Sequence, residues 1–359
     1  MRIIQIVPYL PPAVSGVGDY GLLLAKELQR SHNIHTRFVV CDSEYEPSPE
    51  TNGFTVSKVP AHSAGALTKI LQEAEDEGAT VLLQYVGYGY QRRGAPLWLV
   101  NGLEAWRGAS RRPWLVTMFH ELFASGPPWR SSFWNSPLQR WIVARLARTS
   151  DCCVTNIRRY ARRLETWRPS GSRGVEVLPV FSNVEESENW TSNRRNEMVI
   201  FGSRVWREAA YTNSIEDLIK VCRLLDIKKI HDIGPPLSAD FEPPIAIERH
   251  GVLPPPAVKE IMQNALVGFF TYPTPFLGKS TIFAAYASHG VVPITVDANN
   301  KTNEDHLRLN NHFLTCGALA GNPASISTIG EQVHSWYEKH RLTVQARKYA
   351  AMLMGNGDV

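Results

Sequence analysis

Two places in this 359-residue chain combine the residue types that hold a phosphate. At Gly278, Lys279, Ser280 and Thr281, a glycine, an ammonium and two hydroxyls stand where a helix begins. The exposed amides of a helix N-terminus attract phosphate even without a cation. At Gly202-Ser203-Arg204, with Arg207 one turn further on, two guanidinium groups follow a short apolar run. A cation there would stabilise a departing diphosphate, and the planar guanidinium fork suits phosphate oxygens; a solvated turn is the alternative. GKST has the ending of a P-loop, but the earlier glycine that motif needs is Pro273, so a Walker site is excluded.

A third glycine group, GVGDYG, places Gly16, Gly18 and Gly21 in a literal GxGxxG pattern. Residues 8–15 separate it from the first apolar run, whereas a dinucleotide fingerprint follows its strand directly, so the motif argues weakly for a nicotinamide cofactor. Asp42 and Glu44 keep that reading from being excluded outright. Gly16 and Gly18 equally allow a side-chain-free loop whose amides approach a phosphate, or a purely structural turn. His120, followed by Glu121, closes the run WLVTMF and so stands at a strand end, where ligands of α/β sheets bind; a lone histidine is otherwise a satisfied core residue. Tyr85, Tyr88 and Tyr90, spaced by Gly87 and Gly89, could stack on a sugar face as an acceptor-side loop or simply pack.

The elements that must position these residues alternate β-rich runs with helical segments. Strands are expected at 3–7, 36–40, 80–86, 113–119, 152–156 and 175–180, with helices between them. Such alternation implies right-handed crossovers and a parallel, doubly wound sheet. The polar segment 181–198 lacks apolar periodicity and reads as a linker, after which a second α/β series opens at 199–203. The expected organisation is therefore an α/β chain with a Rossmann-like domain at 1–185, a linker at 186–198 and a second Rossmann-like domain at 199–328. A helical segment at 329–359 would pack back across the junction. Two such domains would face a central cleft between their strand edges.

Composition agrees with an ordinary globular protein: 43% hydrophobic, 20% charged and a net charge of +4. MRIIQIVPYL is too short an apolar run for a signal peptide, no stretch is long enough to span a membrane, and a cytoplasmic location is expected. The five cysteines lack zinc or CxxC spacing, so neither a structural metal nor a disulfide is expected. Arginines 140, 145, 148, 158, 159, 162, 163, 168 and 173 crowd one segment, with Trp98, Trp106, Trp114, Trp129, Trp134 and Trp141 in or just before it. That surface either meets anionic lipid on the cytoplasmic face or is a solvated face above core tryptophans. No nucleic-acid-binding motif accompanies the charge.

Several segments, in order, resemble the family 4 retaining glycosyltransferases, a GT-B group. They are VPYLPPAVSGVGDYGLLLAKEL, WLVTMFHE, LPVFSNVEE, VIFGSRVWRE, and HGVLPPPAVKEIMQNALVGFF followed by FLGKSTIFAAYASHGVVPITV. The resemblance covers about residues 1–300 and implies sugar transfer from a nucleotide-sugar donor to a glycan, lipid-linked or small-molecule acceptor, with retention. It implies that the 16–18 loop lines the cleft, that His120 contacts the donor sugar and supports charge at the reacting carbon, with Glu121 beside it, and that Arg204, Arg207 and the 278–281 loop bind the diphosphate. No metal or other cofactor is implied, because cationic side chains neutralise the diphosphate. The chain departs from that family at its paired glutamates. Aligned on Gly290, their places are Leu277 and Ala285, and no acid occurs from Val267 to Ile294. A GT-B pair that has lost catalysis and binds a nucleotide, glycan or partner protein is the competing expectation.

Overall fold

The computed structural model describes residues 1–355 outside 12–15, 43–44, 47–49, 52, 74–79, 111–112, 125, 128, 189, 240, 242–243, 297–303 and 321–325. The chain divides into two compact units, Met1–Leu178 together with Leu342–Val359, and Pro179–Arg341. The division at 178/179 lies ahead of the expected end of the first domain at 185, and the stretch read as a linker clusters with the second unit. Of the C-terminal helical segment, only the part from Leu342 onward belongs to the first unit.

The first unit opens with β1 (Arg2–Val7), α1 (Gly16–His32), β2 (His35–Val40), β3 (Glu50–Thr51) and β4 (Phe54–Lys58). It continues through α2 (Ala64–Glu73), β5 (Thr80–Tyr85), α3 (Gly87–Tyr90), α4 (Leu97–Ala109) and β6 (Trp114–Phe119). α5 (Ser131–Thr149), β7 (Cys152–Thr155), α6 (Arg158–Glu165) and β8 (Glu176–Val177) complete its main run. The strands lie in the order β4-β2-β1-β5-β6-β7-β8, all parallel, with β3 added antiparallel at the β4 edge. β5, TVLLQY, is buried along its whole length, as a strand covered on both faces must be, and the apolar run in the sequence has that cause. Under one face, Trp106 of α4 is fully buried among Leu99, Leu103, Val81 and Leu115. Truncating such a side chain to alanine costs about 3–5 kcal/mol.

The second unit runs β9 (Arg195–Phe201), α7 (Arg204–Tyr211), α8 (Ile215–Leu224), β10 (Lys229–Ile233), β11 (Ala246–Gly251) and α9 (Pro255–Asn264). Then come β12 (Ala265–Phe270), α10 (Thr281–His289), β13 (Val292–Thr295), β14 (Leu314–Thr315), α11 (Cys316–Ala320) and α12 (Ile326–Glu338). Its six strands are parallel in the order β11-β10-β9-β12-β13-β14. The last helix, α13 (Leu342–Leu353), returns to the first unit and packs on α1, where Tyr20 bonds both Gln345 and Tyr349 at 3.2 Å. Among the described residues no helix is long and apolar enough to cross a membrane.

The expected linker carries structure of its own. β9 begins at Arg195, and Arg194 just before it donates to the carbonyls of Met262 and Ala265 at 3.0 and 2.8 Å and to that of His289. Those carbonyls close α9 and α10, where a cation also complements the helix dipole. Burial pulls the Arg194 guanidinium down to about 10. Trp190 lies against Gly290, the left-handed C-cap of α10 at φ 64°, where a Cβ would strike the indole. A polar segment without periodicity thus anchors two helix ends through a single arginine and a single tryptophan.

Candidate functional site

Both sheets change direction once. In the first, strands added after β1 and after β5 run to opposite sides; in the second the reversal falls between β9 and β12. At such a switch point the connections leave in opposite directions and open a crevice beyond the strand ends, where ligands of open α/β sheets bind. Gly202 to Arg207 follow β9, and 278–281 follow β12, so these two sequence-derived groups stand at one switch point.

In the second unit the two groups meet. Gly202, at φ 127°, has the backbone of a residue that only glycine adopts easily, and a Cβ there would come within 2.6 Å of Ile282 Cδ1 in the first turn of α10. Thr271, just after β12, donates from Oγ1 to the Trp206 carbonyl of α7 at 3.4 Å. The N-termini of α7 and α10 therefore converge at the ends of β9 and β12, both presenting the positive end of a helix dipole. Arg204 opens α7 with its side chain 57% exposed and a 4.0 Å ion pair to Glu208. Lys279 precedes α10, half-buried, with Nζ 5.9 Å from the Phe276 ring centre. Ser280 is the N-cap, its Oγ accepting from Phe283 N at 3.2 Å, so its hydroxyl serves the helix first. Gly278 is buried and its carbonyl accepts from Val180 N at 2.8 Å. Thr281 is half-buried in the first turn.

Arg207 does not share the role expected for it. It is 3% exposed, its guanidinium is paired with the fully buried Asp232, and it also donates to the Pro235 carbonyl. A guanidinium so neutralised offers little to a diphosphate. The reason is packing: Gly234, at φ 148°, leaves room for Arg207, whose Nη1 would lie 2.7 Å from a Cβ there. Asp232 and Gly234, in KKIHDIG, are the residues that sequence reasoning missed. An acid next to Ile233 near the end of β10, where a parallel strand is buried on both faces, was the available signal.

In the first unit, His120 is buried just beyond β6, and Nε2 donates to Gln84 Oε1 at 2.8 Å. The amide oxygen is an acceptor only, so this bond fixes the proton on Nε2 in the neutral imidazole. The Tyr20 ring meets the imidazole edge-on at 4.9 Å, and Asn156 Nδ2 donates to the His120 carbonyl at 3.3 Å. Gln84, with its position on the same sheet face as His120, escaped the sequence reading because it looked like one polar letter in an apolar run. Glu121 is exposed.

The aromatic loop divides. Tyr85 and Tyr90 are core residues, and the Tyr90 hydroxyl donates to the carbonyls of Gln84 and Ile6 at 2.8 and 3.2 Å. They cannot stack on a sugar; only Tyr88, 43% exposed and bonded by Gln139 at 3.3 Å, keeps a surface. The GVGDYG glycines divide too. A Cβ on Gly18 would come within 2.6 Å of the Tyr9 carbonyl and one on Gly21 within 2.7 Å of Gln5, so both serve close packing of α1 on β1. Gly16, at the exposed start of α1, has nothing within 4 Å of such a Cβ. A separate 340 Å³ cavity lined by Arg2, His35, Arg37 and Phe54 lies at the opposite ends of β1 and β2, away from the switch point.

No protein-family model matches the chain, and no curated protein sequence matches it. Solved structures do. The lipopolysaccharide outer core galactosyltransferase WaaB in its apo form aligns over 99% of both chains with a TM-score of 0.60 at 11% identity. An α,α-trehalose-phosphate synthase (UDP-forming) from Burkholderia xenovorans, in complex with glucose-6-phosphate, aligns over 99% of this chain and 100% of its own, at TM-score 0.60 and 12% identity. Anabaena HepE in complex with UDP covers 99% of this chain and 97% of its own, at TM-score 0.58 and 12% identity. At such identities the likeness shows the fold: the chain has the two-domain GT-B architecture of glycosyltransferases.

Proposed function

We propose that this protein is a glycosyltransferase that takes a sugar from a nucleotide-sugar donor and passes it, with retention, to a glycan, lipid-linked or small-molecule acceptor. The observation that carries the reading is the convergence of two helix N-termini, with exposed Arg204 on one and Lys279 beside the other, at the β9/β12 switch point. Oriented amides and two cations suit a diphosphate leaving group and oppose its charge without a metal. Two fold neighbours support a uridine diphosphate product, one being UDP-forming and the other holding UDP. The first unit is assigned the acceptor side, with Tyr88, and His120 is assigned contact with the reacting sugar. Leu277 and Ala285 are buried, so hydroxyls of sugar and ribose are held by other groups than the family's glutamates.

The test is a thermal-shift screen against UDP, GDP, ADP, CMP and their sugar conjugates. One nucleotide stabilises the wild type, and Arg204→Ala and Lys279→Ala each abolish the shift. If no nucleotide shifts the melting curve, the diphosphate site is refuted. If a nucleotide binds but no conjugate is turned over with any acceptor, the non-catalytic reading, which the missing acids favour, replaces this one.

The same reading includes peripheral contact with an anionic membrane. Trp106 is core, but Trp129, Trp134 and Trp141 are 83, 72 and 48% exposed, and Phe133 and Leu138 stand out beside them. Arg145 and Arg168 are occupied, by Glu104 and by the carbonyls of Ala147, Ser150 and Asp151. Arg140, Arg148, Arg158, Arg159, Arg162 and Arg163 are exposed. Indole rings beside guanidinium groups match an interfacial layer of anionic headgroups. Co-sedimentation with vesicles containing phosphatidylglycerol, absent with neutral vesicles and lost in Trp129→Ala/Trp134→Ala, is the expected result; equal binding to both vesicles would refute it.

A further inference from the structure

We propose that the outer strands of the second sheet form a binding site for a borderline divalent transition metal such as zinc, ligated by Nδ1 of His231, Nε2 of His250 and the Glu248 carboxylate. The inference is independent of the proposed sugar transfer. His231 of β10 and Glu248 of β11 are register partners, and His250 lies two residues beyond Glu248 on the same edge strand. Between Asp232 and Ile233 the register slips, so that His250 is the extra residue of a bulge that can re-aim its ring. One ligand atom from each of the three side chains lies within 4.8 Å of the others.

The hydrogen bonds around the cluster suit a metal more closely than an ordinary ion-pair network. His231 Nε2 is 3.1 Å from Glu197 Oε2 on β9, which fixes the proton on Nε2 and leaves the Nδ1 lone pair facing His250 Nε2 at 2.9 Å. A carboxylate behind the outer nitrogen of an imidazole is the support that metal-ligating histidines generally have. The two rings are stacked, 5.2 Å between centres, and share one proton. A metal takes that proton's place while the proton moves to His250 Nδ1, which faces Glu248 Oε1 at 3.9 Å. Metal–nitrogen bonds of about 2.0–2.1 Å at a tetrahedral angle need the two nitrogens roughly 3.3 Å apart, a shift of a few tenths of an ångström. Two imidazoles and one carboxylate favour zinc, nickel or copper over calcium or magnesium. Lys229 Nζ, 2.8 Å from Glu248 Oε2, is the competitor for the carboxylate. His231 and Asp232 are consecutive on β10 and so face opposite sides of the sheet, which sets the cluster on the face away from Arg207. Bound there, the metal would tie the edge strand to its neighbours.

The experiment uses the full chain, with any affinity tag removed and metal stripped by chelator, titrated calorimetrically with zinc and spectroscopically with cobalt. Wild type takes one equivalent, and cobalt gives the intense visible bands of a tetrahedral site that zinc then quenches. His250→Ala weakens binding by roughly 100-fold, Glu197→Gln by roughly 10–100-fold, and Lys229→Met strengthens it. Replacing the buried His231 would also disturb packing, so the exposed Glu248→Gln, expected to weaken binding about 10-fold, stands in for it. No stoichiometric binding by wild type, or binding unchanged in both His250→Ala and Glu248→Gln, overturns the proposal.

Discussion

The two sheets solve the same problem, polar groups buried near a switch point, in different ways. The first uses neutral groups: Gln5, Gln84, His120 and Asn156, all buried, with both polar atoms of Gln5, Nε2 of Gln84 and Oδ1 of Asn156 unpartnered among the described residues. The second buries a charge, Arg207, and matches it to Asp232. A neutral amide tolerates a missing bond for about 1–3 kcal/mol, whereas a buried charge must be paired. The difference explains why two arginines three residues apart differ: once Arg207 is inside, its charge is committed to Asp232, whereas Arg204 at the helix entrance stays exposed.

The contrast is broken most sharply at the ion pair. Arg207→Ala is expected to cost about 3–5 kcal/mol in urea unfolding, because Asp232 is left charged and buried, while Arg207→Met combined with Asp232→Leu restores most of the loss. A loss below about 1 kcal/mol would mean that water reaches the pair.

Acid is the next largest probe and should act on the second unit. Burial, opposed by the Ala285 and Glu185 carbonyls, pulls His289 from 6.5 down to about 4, and burial also lowers His312 and His334. At His289 the unfolded chain takes up a proton below about 6.5 and the folded unit only near 4, so its contribution to stability is full above 6.5 and falls as the pH drops through that window, and His312 and His334 act in the same direction. For His289 alone the loss near pH 5 is about 2 kcal/mol. His289→Gln should flatten the urea midpoint between pH 7 and 5, and an equally steep profile in the variant would assign the acid sensitivity elsewhere.

In the first unit the expected effects are smaller. Gln84→Leu removes the acceptor of His120 Nε2 but also the unpartnered Gln84 Nε2, so the net cost should be about 1 kcal/mol. A cost as large as that of Arg207→Ala would erase the distinction between the two sheets. The smallest effect belongs to Arg204→Ala, within about 0.5 kcal/mol in stability because the side chain is exposed, while the nucleotide-induced shift disappears. A variant that unfolds instead would show Arg204 to be a structural partner of Glu208.

Much of the fold was legible because parallel strands buried on both faces write themselves as apolar runs, as in IIQIV, TVLLQY and VIF, separated by helices of regular period. The strand-end placement of His120 and Arg204, and a helix beginning after Lys279, followed from the same pattern. The polar stretch 181–198 misled because its structural content lies in isolated side chains, Arg194 and Trp190, rather than in periodicity. Tyr85 and Tyr90 misled because an aromatic ring at the edge of a glycine-containing loop looks the same whether it faces solvent or the core.

The sequence by itself determined two α/β halves and which positions lie at strand ends, since those depend on local period and chain punctuation. Only the tertiary structure decided what each polar side chain does. Arg207 meets Asp232 across 25 residues, His120 meets Gln84 across 36, and His231 draws Glu197, Glu248 and His250 from two neighbouring strands. The sheet order and register that bring such partners together are set by the packing of the whole unit. Whether a charge is available or spent depends on its burial and its partner, neither of which a local pattern contains.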